Sequence, residues 1–431
     1  MKNDWDIKSL NEVCQIRPPK NELQGHLSQE DLVSFVPMDS LGIEKKYFTS
    51  SGDKKLKEVY GSYTYFRDHD VLLAKITPCF ENGKLGIAKD LTNGIGFGSS
   101  EYVVYRPKEI LDSEYLYYFL SQDGFRKTGE SQMTGAVGHK RIPKDFYEKY
   151  EIPIPPLPEQ KQIVQILDKA FAAIDQTKAN IEQNIQNAQE LFQSKLNEIF
   201  SQKGEGWEEK RLNELTTKIG SGATPRGGQA TYKKSGISLI RSMNVHDNGF
   251  NEKNLAFIDT EQATKLSNVI VEEDDVLLNI TGASVARCCI VENKYLPARV
   301  NQHVSIIRPI RNKIDSRFLH FTLTSKIVKD ELLGIGEQGA TRQAITKGQL
   351  ENFKIRLPSS IDTQINLVHS IVKTKNKVLE IVETYKSKLT LLDELKKSIL
   401  QKAFSGELTS GDVKEFDQIN LAAEPTETYS S

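Results

Sequence analysis

The chain lacks most of what marks a secreted, membrane-bound or metal-held protein. Among 431 residues there are only four cysteines, Cys14, Cys79, Cys288 and Cys289. None forms a CxxC pair, and no His–Cys cluster has zinc-ligand spacing. Cys288 and Cys289 lie side by side in a strand-like run, so they should point to opposite faces rather than bridge one another. All four are expected to be reduced cytoplasmic thiols, mostly filling core space. No run approaches 18 apolar residues, and the start, MKNDWDIKSL, has no apolar signal region. The expected location is the cytoplasm, with no membrane partner. Excess charge is missing too: 57 Lys and Arg face 58 Asp and Glu, a formal net charge of −1. A small domain that lives alone on nucleic acid is often strongly basic. Nucleic-acid binding here would need local positive charge or help from a partner.

What is present is repetition. WDIKSLNEV (Trp5 to Val13) is echoed by WEEKRLNEL (Trp207 to Leu215), and DHDVLLAKIT (Asp68 to Thr77) by EDDVLLNIT (Glu273 to Thr281). SEYLYYFL (Ser113 to Leu120) returns as SRFLHFTL (Ser316 to Leu323), and KRIPKDFYEKYEIPIP (Lys140 to Pro155) as RQAITKGQLENFKIRLP (Arg342 to Pro358). Each echo sits roughly 202 to 205 residues downstream, so the whole half is duplicated.

Each half divides again. Its first part mixes short apolar runs with Gly, Pro and Asn turns. DVLLAKI, EYVVYRP, DVLLNI and HVSIIRP read as strands, and SEYLYYFLSQDGFRK as a helix, which predicts a compact α+β domain. Its second part is a helix with a heptad seam. In the first half the seam holds Val164, Leu167, Phe171, Ile174, Ile181, Ile185, Ala188, Phe192 and Ile199, with Lys178 and Lys195 at two of its positions. In the second it holds Val368, Ile371, Val378, Val382, Tyr385, Leu389, Leu392, Ile399 and Ala403, with Lys375 and Lys396. A seam kept for about five repeats signals a coiled coil, because 3.5-residue spacing keeps one stripe facing a partner. A helix of about 40 residues is about 60 Å long.

The joins fit this plan. In IPIPPLPEQKQIVQIL (Ile152 to Leu167) proline ends a strand and opens a helix, and Glu159 suits the positive end of the helix dipole. In IRLPSSIDTQINLVHSI (Ile355 to Ile371) Ser360 is the expected N-cap and Asp362 the early acid. The expected fold is α+β: two similar globular domains, each followed by a long helix, the helices pairing as an antiparallel coiled coil in an internal pseudo-two-fold repeat. The expected boundaries are 1–155, 156–203, 204–358 and 359–405. The remaining segment, 406–431, is polar and mildly acidic, and is expected to be a disordered tail.

Over nearly its full length the chain resembles the specificity subunit of a Type I restriction–modification enzyme. The resemblance rests on the P-P-L-P-E-Q join at Pro155 to Gln160, KITPCFENGK at Lys75 to Lys84, IGSGATPRGG at Ile219 to Gly228, and the duplicated domain–helix order. It implies that the globular parts are target-recognition domains, each reading one half of a bipartite site on double-stranded DNA. The helices would be spacers that set the unread gap and dock two modification (methyltransferase) subunits. S-adenosylmethionine would sit on those partners. ATP and Mg²⁺ would serve the restriction/translocase subunits. This chain would itself catalyse nothing. The second join, LPSSIDTQ, departs from the P-x-E-Q form and leaves the second helix less closely matched.

DNA contact asks for cationic or amide side chains on loops that reach phosphates and groove edges. In the first domain Phe125 to Lys144 is expected to be a flexible loop carrying Arg126, Lys127, His139, Lys140, Arg141 and Lys144. In the second, GEQGATRQAITK brings Arg342, Gln343 and Lys347 to the matching place. After matching strands, TPCFENGK offers Thr77, Asn82 and Lys84 beside Lys75, and NITGASVAR offers Asn279, Thr281 and Arg287. GSGATPRGGQATYKK adds Thr224, Arg226, Lys233 and Lys234. The plainer alternative for each is an ordinary solvated loop or hairpin. Tyr63, Tyr65 and Phe66 could stack on a base but fit a core pattern better.

Catalysis has thin support. Asp275 and Glu292-Asn293-Lys294 could mimic a metal-dependent nuclease, yet the first half keeps Asp70 without an E-x-K. No N/D-P-P-Y/F tetrapeptide or strand-linked GxGxxG is present for methyl transfer. GIGFG at Gly94 to Gly98 has the wrong spacing, and IGSGATPRGG lacks the GK[ST] ending of a P-loop. Seven scattered histidines support no Ser–His–Asp arrangement. A coiled-coil scaffold without DNA binding would explain the seam but not the matched basic loops.

Overall fold

A computed structural model describes residues 5–136, 138–202, 205–337 and 343–408. The expected tail lies outside them from residue 409 onward. The chain forms two compact units, Met1–Glu182 with Lys386–Ser431, and Gln183–Tyr385. These limits cut through both long helices, Leu157–Phe200 of 44 residues and Ile361–Ser405 of 45. The domain limits expected from sequence fall instead at the helix starts. Packing explains the difference, since each globular part shares its core with the nearest stretches of both helices.

In the first unit, short strands, the central ones largely buried, build two four-stranded sheets. One runs Cys14–Ile16, Tyr102–Pro107, Val71–Ala74, Leu85–Ile87, antiparallel throughout. The other runs Asp53–Lys55, Leu32–Val36, Ile95–Gly98, Thr64–Arg67, with its two central strands parallel. The entering strand Asp6–Ser9 pairs antiparallel with Glu151–Ile154, the strand that precedes the long helix. The second unit repeats the plan: Thr216–Ser221, Val304–Pro309, Val276–Asn279, Cys288–Ile290 in one sheet, and Ala256–Ile258, Ile237–Ile240, Ala298–Val300, Ile270–Val271 in the other. Trp207–Arg211 closes it against Lys354–Pro358. Cys288 and Cys289 point into different clusters on opposite faces of their strand, as alternation requires.

Helix packing is antiparallel within each unit. In the first, Ile163, Val164, Leu167, Phe171 and Ile174 share a core with Ile399, Leu400, Ala403 and Phe404. Lys178 reaches Asp393 at 2.7 Å and Lys396 reaches Asp175 at 3.5 Å, so rising numbers on one helix meet falling numbers on the other. The seam also packs on the globular part: the Phe404 ring lies 5.0 Å from Tyr115 and 5.4 Å from Phe119, both on the helix Ser113–Leu120. In the second unit Leu196, Ile199 and Phe200 join Val368 and Ile371, and Phe200 meets Phe318 at 5.4 Å.

The two joins are equivalent despite their different sequences. Gln160 is buried; its Oε1 accepts from Asp112 N at 2.8 Å, and its Nε2 donates to the carbonyls of Ile110 and Pro155 at 2.9 and 2.8 Å. Buried Gln364 accepts from Asp315 N at 3.0 Å and donates to Lys313 and Pro358 carbonyls at 3.2 and 2.9 Å. The missing P-x-E-Q form therefore costs the second helix nothing at this anchor. Glu159 has a further role, accepting from Trp5 Nε1 at 3.3 Å.

Candidate nucleic-acid interface

Three loops converge at one end of the antiparallel sheet in each unit, held by the same backbone hydrogen bonds. In the first, Lys75 N donates to Glu101 O at 3.0 Å, Ile142 N to Lys75 O at 3.0 Å, and Thr77 N to Lys140 O at 3.0 Å. In the second, Ile280 N donates to His303 O at 3.0 Å, Ile345 N to Ile280 O at 2.8 Å, and Gly282 N to Gln343 O at 3.0 Å. A close approach tightens the second frame. A Cβ on Gly222 would lie 1.7 Å from Val300 O, so only glycine fits. Gly135, at φ +126°, turns the chain back toward His139 in the first.

The side chains on this shared frame differ. In the first unit Arg141 holds Glu101 with both prongs, Nε to Oε2 at 2.9 Å and Nη2 to Oε1 at 2.8 Å. Lys75 Nζ donates to Ser100 O at 3.0 Å and lies 3.8 Å from Glu101. The Arg141 hydrogen bonds, with Lys75 and Arg17 nearby, hold the Glu101 carboxyl below the usual carboxylate range. Burial lowers the Lys75 ammonium. The equivalent places in the second unit carry Ile280, His303 and Ala344. There Thr281 Oγ1 meets His303 Nδ1, Gln302 Nε2 lies 3.1 Å from His303 Nε2, and Thr224 Oγ1 donates to Gln302 Oε1. One surface pairs a carboxylate with two cations, and the other links a histidine, an amide and hydroxyls by hydrogen bonds.

The residues considered for catalysis are otherwise employed. Asp275 is fully buried and bound by Arg308 at 2.8 and 2.9 Å. Asp70 is held by Arg106 at 2.8 Å twice over. Glu292 and Lys294 pair with each other at 2.9 Å. Among the described residues no group of three or more His, Cys, Asp or Glu could hold a metal ion, and no helix is long and apolar enough to cross a membrane.

The model of the family described as Type I restriction modification DNA specificity domain matches residues 2–187 and 204–401. The chain belongs to that family. It is 25% identical, over an alignment 489 positions long, to the Type I restriction enzyme EcoAI specificity subunit of Escherichia coli, covering 91% of this chain and 81% of that one. Its fold matches that of the HsdS subunit from Thermoanaerobacter tengcongensis, with a TM-score of 0.64 at 20% identity over 95% of this chain and 98% of that one. A chain from a structural study of type I R-M complex assembly and conformational transition gives a TM-score of 0.76 at 20% identity, over 95% and 99%. The protein is thus a specificity subunit with two DNA specificity domains, not a methyltransferase or nuclease. Specificity subunits of Type I systems bind DNA and partner subunits within the complex.

Against that family, the expected contact residues fall into groups. The frame brings together Lys75, Thr77, Lys140 and Arg141 in one domain and Thr224, Thr281 and Gln343 in the other. Lys140, Asn82, Arg226 and Lys347 are exposed and Arg287 is partly so; Lys347 opens the helix Lys347–Asn352 and pairs with Glu351 at 3.5 Å. Two expectations are corrected. Asn279 is buried, its amide nitrogen donating to Ser242 O at 2.9 Å and Ser284 Oγ at 3.1 Å, so it braces the frame instead of facing a ligand. Lys84 is turned inward onto Met38 O at 2.8 Å. Arg342 lies outside the described residues.

The expected flexible loop from Phe125 is also corrected. Asp123–Ser131 is a helix, and Gly129 on it packs so closely that a Cβ would lie 2.4 Å from Phe80. Arg126 there is paired with Asp123. Tyr65 and Phe66 are core residues. Sequence reasoning passed over Arg17, Glu101, Gln302 and His303. The only signal was the polar residue that opens EYVVYRP (Glu101) or HVSIIRP (His303), which becomes meaningful once the strand end is seen to face the other two loops.

Proposed function

We propose that each domain reads one half of a split double-stranded DNA sequence through its three-loop face, and that the paired helices set the unread gap. The observation that carries this is the constant frame with exchanged side chains: Lys75, Glu101 and Arg141 in one domain, Ile280, His303 and Ala344 in the other. Base edges are distinguished by donor and acceptor pattern and by the thymine methyl, so a fixed backbone with variable side chains suits two different half-sites. Two modification subunits dock on the helices, where Leu191, Leu379, Ile381 and Leu391 remain exposed, and restriction/translocase subunits join through them. S-adenosylmethionine, ATP and Mg²⁺ belong to those partners. The complex works in the cytoplasm. With a net charge of −1, the chain relies on its partners to clasp the duplex.

The test is insertion of one heptad at matched heights in both helices, between the register marked by Lys178 with Asp393 and the helix centre. The inserted turns add about 10 Å, about three base pairs of B-DNA. Methylome mapping of a host carrying the variant should show both half-sites unchanged and the gap lengthened. An unchanged gap refutes the helix role, and absence of any split motif with the natural protein refutes DNA reading altogether.

A further inference from the structure

Glu101 is a carboxylate set among cations at a face proposed to meet a polyanion. For phosphate contact alone it only subtracts attraction. Nor does the fold require it: the backbone bond it makes through its carbonyl is made equally well by His303 in the second domain. Its presence therefore calls for another role, and its geometry supplies one. A guanidinium has five N–H donors. Glu101 takes Nε and Nη2 side-on, at 2.9 and 2.8 Å, and the His139 carbonyl accepts from Nη1 at 3.2 Å. One N–H remains on each terminal nitrogen of Arg141. An arginine without such a brace would swing to a phosphate, whose oxygens match its fork.

We infer that Glu101 is a positioning residue for base recognition, holding Arg141 side-on so that its terminal nitrogens meet the N7 and O6 acceptors of a guanine in the first half-site. The same carboxylate restrains Lys75, 3.8 Å away, from adding indiscriminate attraction. Its ionisation is secure, since the Arg141 hydrogen bonds and the Lys75 and Arg17 charges keep its carboxyl low. This rests on the proposal that the three-loop face reads DNA. It adds which residue sets the discrimination and which base is read.

The experiment uses the full chain assembled with its modification subunits and a duplex library randomised in both half-sites. Natural protein, Arg141→Ala, Glu101→Ala and the near-isosteric Glu101→Gln are compared. Glu101→Ala should lose discrimination, roughly tenfold to a hundredfold, at the same G·C position that Arg141→Ala relaxes. It should also bind non-specific DNA more tightly, with a steeper salt dependence. The second half-site should stay intact in every variant, which reports that the chain is folded. A merely structural role would weaken binding without moving one position of the motif, and that result overturns the inference. So does a shared position that is not G·C. If Glu101 variants change nothing while Arg141→Ala still relaxes the first half-site, only the positioning role fails. If no variant on this face alters the motif, the DNA-reading proposal fails with it.

Discussion

Gln160 and Gln364 each tie the first turns of a long helix to the loop before the helix Ser113–Leu120 or Ser316–Thr324, through one accepted and two donated hydrogen bonds at 2.8–3.2 Å. Neither side chain is exposed. Truncation would strand a backbone N–H and two carbonyls in a dry site, each costing about 1–3 kcal/mol if no water enters. Gln364→Ala should therefore destabilise the protein by roughly 2–4 kcal/mol, allowing for partial rescue by water. Urea unfolding of the variant against the natural protein measures it; a loss within about 0.5 kcal/mol, the range of ordinary surface changes, would show that the anchor is dispensable.

A second outcome concerns the pair of buried Asp275 and partly buried Arg308. Arg308→Met leaves a fully buried carboxylate without its cation, which costs about 3–5 kcal/mol. The double change Asp275→Leu with Arg308→Met removes both charges and should lose less than the single change. Equal or greater loss in the double variant would show that packing, not the uncompensated charge, sets the penalty.

Stability should also respond to acid through His320. Burial, reinforced by nearby Lys375, holds its imidazole down to about 4, against about 6.5 in an unfolded chain. Between those values the unfolded state binds more protons, so stability rises with pH there. The contribution is complete above about pH 6.5 and falls away as pH drops toward about 4, by on the order of 3 kcal/mol. His320→Gln should flatten this slope. Unfolding midpoints that track pH identically in both proteins would exclude His320 as the source.

Lys140 and Arg141 are neighbours with different expected consequences. Lys140 is exposed, as suits a phosphate contact, so Lys140→Ala should weaken binding to all sequences alike and lower the salt slope by about 1. Selected motifs should not change. A motif altered by Lys140→Ala, measured by library selection at two salt concentrations, would place this lysine on a base instead.

Duplication, strand ends and helix seams were legible because they are matters of local order and period. Val71–Ala74 is a continuous apolar run and Val304–Pro309 is rich in β-branched residues, and the heptads from Val164 and Val368 announce themselves. The helix Asp123–Ser131 did not, because DGFRKTGES is polar and holds two glycines; it forms since Phe125 and Gly129 pack on Phe80 and Phe146. Asn279 looked like a contact residue because it ends a strand before a glycine turn. Only tertiary structure reveals that its amide nitrogen is spent on Ser242 and Ser284. Glu101 and His303 were invisible for the converse reason, since what faces them comes from loops distant in the chain.

The strand pairs that close each globular part have evolutionary weight. Asp6–Ser9 runs beside Glu151–Ile154, and Trp207–Arg211 beside Lys354–Pro358, so the chain enters and leaves each globular part at a common seam. Crossovers at the two adjoining strands would exchange such a part whole, so long as the incoming part keeps the apolar face that seats on the long helices. A host lineage could then acquire new sequence preference by recombination, without having to rebuild the assembly.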